Sequence, residues 1–173
     1  MENSFFKLLG TRRSIRSFTD KPVSDYHLER ILEACDMAPS SGGLQTFEVY
    51  QVKGRETKKK LASAARDQES VAEAALLLVF CANPTRSSAR FGKRSELFSV
   101  QDATIATAYS QLAAVAMGLS CVWVGAFDEK QVSDILNLPA GLRPVSMLPI
   151  GYENEKPEEK KTRGAKDLLH TVN

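Results

Sequence analysis

The sequence predicts an α+β fold over 1–173 as one domain, with helices and strands in layers rather than in a doubly wound sheet. Three observations carry this. Helix-like and strand-like segments do not alternate as repeated β-α-β units. No Gly-x-Gly-x-x-Gly turn opens a helix after a strand, and no P-loop occurs. The apolar runs "AALLLVFCA" and "AAVAMGL" suit a buried strand and a helix, and both are too short to span a bilayer.

"NSFFKLLG" reads as a short helix with Ser4 as its cap and Gly10 as its stop. Ser24 caps the next helix, with Val23 and Leu28 as the staple pair around it. Leu28, Ile31, Leu32 and Cys35 form its apolar face, and Pro39 ends the pattern. "SSGGLQ" is a loop whose adjacent glycines permit a tight turn or a close approach. Residues 46–52, "TFEVYQV", alternate as a strand. "GRETKKKLASAARDQES" is a charged helix whose lysines read as a solvated face.

"AALLLVFCANP" is a buried strand ended by Asn83-Pro84. The polar, basic "TRSSARFGKRSEL" reads as an exposed, mobile loop with little apolar area to hold it. A long helix spans about 95–117, and its apolar residues wrap most of its circumference, so it reads as buried. Its alanines allow close neighbours, a second subunit among them, and Gly118 ends it. "SCVWVGAF" is a third strand. Asp128 caps the following helix, with Gln131 at the capping-box position and Phe127 and Val132 as staple. "RPVSMLPIGY" is the last strand, and the charged tail reads by composition as a loose end.

Composition narrows the function classes. With 23 basic and 21 acidic side chains the net charge is +2, too mild for the dense basic face of a nucleic-acid binder. Three scattered cysteines read as free thiols in a reducing compartment, and two histidines offer no zinc site, so no metal is expected. The start shows no long hydrophobic region or processing site, so the expectation is a cytoplasmic protein without a membrane partner.

The chemistry-bearing residues cluster in three places. Arg12, Arg13 and Arg16 stand beside Ser14 and Ser17, a set that suits a phosphate or a solvated basic turn. In "KKTR", an extended backbone puts Lys161 and Arg163 on one side, able to close on one anion or simply solvated. "PSSGGLQ" offers hydroxyls, Gln45 and glycine backbone to a planar polar ligand, or is a plain turn. Neither His27 nor His170 pairs with a nucleophile, so no catalytic side chain stands out. Anion-binding groups without acid–base machinery suit a protein whose cofactor carries the reaction.

Four blocks in order, "RRSIRSF", "APSSGGLQTFEV", "QDATIATAYSQLAAVAMGLSCVWVGAF" and "PIGY" followed by "KTR", make the chain resemble the nitroreductase family of flavoenzymes along nearly its whole length. The resemblance implies a central, largely antiparallel sheet surrounded by helices. It also implies a homodimer with two FMN molecules at the interface and C-terminal segments reaching across the partner. By the same resemblance Arg12, Arg13 and Ser14 meet the FMN phosphate and ribityl chain, and Lys161 and Arg163 join the phosphate. Pro39, Ser40, Ser41 and Gln45 line the ring and ribityl region, with Gly43 standing where many relatives carry asparagine. In Val124, Gly125 and Ala126, the Gly125 N–H, with that of Ala126 beside it, matches the donor to flavin N5. The implied reaction is ping-pong hydride transfer from NADH or NADPH to a small electrophilic acceptor such as a nitroaromatic, a quinone or free flavin. A same-fold oxidase, dehalogenase or flavin-cleaving enzyme, and a non-catalytic flavin-binding module, remain alternatives. Nucleic-acid binding through "TRSSARFGKR" is a further one.

Overall fold

Strand β2 (Leu76–Ala82) is the axis of the molecule, and all seven of its residues, "LLLVFCA", are buried. A strand apolar at every position needs cover on both faces. Leu77, Val79 and Cys81 pack with Leu61, Val71 and Val132, while Leu76, Leu78 and Phe80 pack with Ile31, Ala106 and Ala114. In the computed structural model, which describes residues 4–159 and 161–172, helices therefore lie on both sides of one sheet.

In chain order the elements are α1 (Ser4–Thr11), α2 (Asp25–Asp36), β1 (Phe47–Val52), α3 (Arg55–Ala64), α4 (Glu69–Glu73), β2, α5 (Ser88–Phe91), α6 (Ser95–Ala116), β3 (Ser120–Cys121), α7 (Glu129–Leu136) and β4 (Arg143–Gly151). The sheet order is β1-β2-β4-β3, and each pair is antiparallel. The α+β arrangement expected from the sequence is present. The register shifts between Phe80 and Cys81, where Cys81 faces Pro144, a residue with no N–H to give the ladder.

Local signals placed several ends. Ser24 caps α2, and the Asp128 carboxylate accepts the Gln131 N–H at 2.9 Å at the head of α7. Gly118, at φ +77°, follows α6, and the Leu119 N–H then returns to Ala114 O at 3.0 Å.

Several expectations give way. α1 runs through Gly10, because Arg12 N–H and the Thr11 hydroxyl both take Leu8 O and the Arg13 guanidinium takes Gly10 O, so no left-handed glycine is needed there. Ser4 lies inside that helix rather than ahead of it. Lys58 is not solvated. It is buried, and its Nζ donates to Ala74 O at 2.6 Å, closing the end of α4. "TRSSARFGKRSEL" is not a loose loop but α5 between two 3₁₀ turns, held by the Phe91–Phe98 edge contact at 5.2 Å. The third strand is only Ser120–Cys121, after which a single bridge joins Val124 to Met147.

Helix α6 is the largest correction. Its buried side is Ser95, Ser99, Asp102, Ala103, Ala106, Thr107, Ser110 and Ala114, small and polar residues that let the helix approach the sheet. Thr107 Oγ1 and Ser146 Oγ meet there at 2.8 Å. Part of its large apolar surface points away: Leu97 is 54% and Tyr109 41% exposed, and Val100 and Leu112 are only half-buried, while Ile105 and Val115 pack in part on the core.

Candidate functional site

The first part of the site is the connection from α2 to β1. Gly42, Gly43 and Gln45 adopt φ of +61°, +71° and +47°, a tight left-handed course. The Gln45 side-chain amide donates to Asp36 O and Oδ1 at 2.9 and 2.8 Å, and its backbone N–H donates to Ser40 Oγ at 2.9 Å. From outside, Arg86 Nε donates to Leu44 O at 3.2 Å and Arg90 Nη1 to Gly42 O at 3.4 Å. The segment read from sequence as a loose loop thus braces this turn.

Pro39, Ser40 and Ser41 face an open cavity of about 570 Å³ whose other wall is α6, through Val100, Asp102, Thr104 and Ile105. Ser41 is fixed there: its backbone N–H and its hydroxyl both donate to Asp102 Oδ1 at 2.9 Å. Gln45 lies on the far side of the turn, against Asp36 and Phe47.

The second part gathers at the other end of α6. Ser14 pairs with Cys121, and the Ile15 N–H donates to Cys121 O at 3.1 Å, so the arginine segment runs along the sheet beside β3. Arg13 lines a cavity of about 460 Å³ with Ile15, Val115, Leu119 and Tyr152, and its guanidinium also closes the end of α1. The Cys121 thiol is pushed up to about 12 by burial, with the positive charge of Arg12 pulling the other way. Further along the same strand line, the N–H groups of Val122 and Val124 are taken by Pro149 O and Met147 O. Among the described residues the Gly125 N–H donates to nothing, and Gly125 and Ala126 are exposed. A side chain at 125 would press on the Trp123 indole, with Nε1 at 3.3 Å from the Cβ position.

The tail begins alongside the arginine segment, with Asn154 N–H on Ser17 O and Phe18 bridged to Glu153. Pro157 still lines the Arg13 cavity. Lys161 and Arg163 are exposed, and among the described residues no hydrogen bond or ion pair joins them to Arg12, Arg13 or Ser14. Arg163 instead faces Asp167 at 3.7 Å, and Lys160 lies outside the described residues.

The protein-family comparison matches residues 9–85 and 63–152 to the model described as the nitroreductase family. The chain belongs to that family of FMN-dependent flavoenzymes. Its relatives include an FMN reductase (NAD(P)H) of Bacillus subtilis, 34% identical, with 91% of this chain and 69% of that protein covered. An oxygen-insensitive NADPH nitroreductase of Salmonella typhimurium is 31% identical, with 95% of this chain and 72% of that one covered. The solved NADPH:FMN oxidoreductase of Vibrio harveyi in complex with NAD+ superposes with a TM-score of 0.91 at 29% identity, covering 99% of this chain and 78% of that one.

Among the described residues no helix is long and apolar enough to cross a membrane, and no group of three metal-ligating side chains comes together. Sequence reading passed over Asp102 and gave Thr46 no role beyond a strand, and it read Arg86 and Arg90 only as part of an exposed basic segment. The one available signal was Asp102 itself, a poor helix former in the middle of a 22-residue helix of small and apolar residues.

Proposed function

We propose that the chain is an FMN-dependent NAD(P)H oxidoreductase that works as a homodimer, with each site shared between two subunits. The observation that carries this reading is the division of the site. The Pro39–Ser41 cavity lies at Asp102 and the arginine segment at Val115, two positions of one helix that its rise per residue puts about 20 Å apart. A second copy with its α6 reversed, as a two-fold contact demands, would bring the first half of one subunit to the second half of the other. The apolar residues that α6 turns outward, Leu97, Tyr109 and Leu112, supply the surface for that contact.

The residues present suit FMN. Arg12, Arg13 and Ser14 match a phosphate in charge and donor geometry, and Lys161 and Arg163 join it from a tail that starts beside them. Pro39, Val100 and Ile105 offer apolar wall to a ring system, Ser40 and Ser41 offer hydroxyls, and Gln45 holds the turn that carries them. The unpaired Gly125 N–H, with Val124 and Ala126 on either side, supplies a donor toward flavin N5. When bound, FMN supplies two-electron chemistry, accepting hydride from reduced nicotinamide and passing it to an electrophile. The chain's own residues would bind the phosphate and orient the ring. Nitroaromatics, quinones and free flavin are the acceptor classes, the first and last in line with the nitroreductase and FMN reductase names of two relatives.

The test is direct. Purified protein should carry the absorption of oxidised flavin, release FMN on denaturation and sediment as a dimer. Anaerobic NADH or NADPH should bleach the flavin, and a quinone or nitroaromatic should restore it. A flavin that neither nucleotide bleaches removes the reductase reading, and a colourless monomer that takes up no FMN removes the whole proposal.

A further inference from the structure

We infer that Asp102 is the positioning residue of the Pro39–Gln45 turn. It latches the turn to α6 at both ends and turns the Ser41 hydroxyl into an acceptor toward the ligand. The inference rests on the flavin reading of that cavity and adds a residue that no sequence motif assigned.

The geometry is a carboxylate saturated by one segment. Oδ1 accepts the Ser41 N–H and O–H, each at 2.9 Å, and Oδ2 accepts the Thr46 O–H at 2.6 Å and its N–H at 3.4 Å. Asp102 is 2% exposed, and among the described residues it has no cation within ion-pair distance. Both oxygens accept, which is the bonding pattern of an ionised carboxylate. Burying such a charge without a cation is costly unless donors surround it, and here all four come from the two ends of the same turn. Between those ends lie the three left-handed residues Gly42, Gly43 and Gln45. A backbone of that kind persists where its surroundings over-determine it.

Proton counting extends the argument. A serine hydroxyl has one proton, and that of Ser41 goes to Asp102. Toward the cavity Ser41 Oγ therefore presents only lone pairs and selects a donor, an imide N–H or a ribityl O–H. Ser40 Oγ accepts from the Gln45 N–H and keeps its proton, so the neighbouring hydroxyl is a donor. Two adjacent serines thus read a ligand with opposite polarity, and Asp102 sets which is which. The carboxylate also lies in the wall of the cavity itself, so its charge opposes the gain of electrons by a ring seated there.

The experiment is Asp102→Asn in the full chain, with FMN affinity measured by fluorescence titration of apoprotein and the midpoint potential of the bound flavin measured by dye equilibration. Asparagine supplies one acceptor oxygen and sets an NH2 against the remaining donors. The expected result is a folded variant that binds FMN at least tenfold more weakly, with a flavin potential shifted positive. A folded variant with wild-type affinity and potential overturns the inference, and so does weakened affinity with an unmoved potential, which leaves only a structural role. If Asp102→Asn does not fold, Ser41→Ala and Thr46→Val take its place. A tenfold loss of FMN affinity in Ser41→Ala supports the inference, and wild-type affinity in both variants overturns it. Wild-type protein that binds no FMN sinks the flavin reading itself, a result distinct from every outcome for the variants.

Discussion

Arg13 and Ser41 line separate cavities at opposite ends of α6, although sequence motifs assign both to one ligand. The helix between them is continuous from Ser95 to Ala116, and the arginine segment is bridged to Cys121 beyond its far end. The outward face of α6 is therefore the place to break the function. Replacing Leu97 and Tyr109 together by glutamate should convert a dimer to a monomer at micromolar concentration and abolish FMN retention while the far-UV spectrum is kept. Sedimentation velocity with flavin absorption reads both. A monomeric double variant that still holds FMN at full occupancy would contradict the shared site.

Arg12→Ala and Arg163→Ala test the phosphate end. A charge-assisted hydrogen bond contributes about 1.5–3 kcal/mol, so each change should weaken FMN about ten- to hundred-fold. Isothermal titration of apoprotein checks this. Among the described residues Arg163 ion-pairs only with the exposed Asp167, so its replacement should leave the unfolding midpoint almost unchanged. Wild-type affinity in both variants would remove the phosphate assignment.

Gly42 and Gly43 separate backbone strain from crowding. Both have positive φ, but a Cβ on Gly42 would stand 2.7 Å from Arg90 Nη1 and 3.2 Å from Phe91 Cζ, whereas one on Gly43 meets nothing within 4 Å. Gly42→Ala should cost about 1–3 kcal/mol in urea unfolding, from left-handed strain together with a displaced Arg90. Gly43→Asn should cost less than about 1 kcal/mol, because asparagine tolerates that conformation and its Cβ meets nothing there. Equal losses at the two positions would mean that the Arg90 brace contributes nothing.

The buried thiols make stability fall at high pH. Burial pushes Cys81 up to about 12 with help from the Glu48 charge, and burial pushes Cys121 to about 12 against the pull of Arg12, from an ordinary value of 9.0. Their contribution is whole below the ordinary value. Above it the unfolded chain has released protons that the folded chain keeps, so stability drops as pH climbs from 9 toward 12. The slope is about 1.4 kcal/mol per pH unit for each thiol. Lys58, held below its ordinary 10.5 by burial, acts in the opposite sense up to that pH. Urea unfolding across this range should show a shallower decline in Cys81→Ala and Cys121→Ala than in wild type, whatever their starting stabilities. Parallel declines in all three proteins would refute it.

Much of the fold was legible because its signals are local. Ser24 and Asp128 sit beside the N–H groups they cap, Gly118 supplies the positive φ where α6 stops, and the unbroken apolar run of β2 announces two covered faces. Lys58 was misread because its carbonyl partner lies 16 residues away. The 84–95 segment was misread because what holds it, the 42–44 backbone and the Phe98 ring, belongs to other elements. The outward apolar face of α6 was misread as buried because composition does not say which side of a helix meets the sheet.

The sequence by itself determined the layered α+β arrangement, most helix ends and, through ordered motifs, the family and the residues proposed to hold its cofactor. Only the tertiary structure decided that Ser41 and Arg13 line separate cavities along one helix, and that Asp102 bonds the serine turn from 61 positions away. Capping and periodicity act within a turn or two of the chain, so a sequence displays them directly. The partner of a buried carboxylate is chosen by which segments the packed sheet brings together, and that choice exists only once the chain has folded.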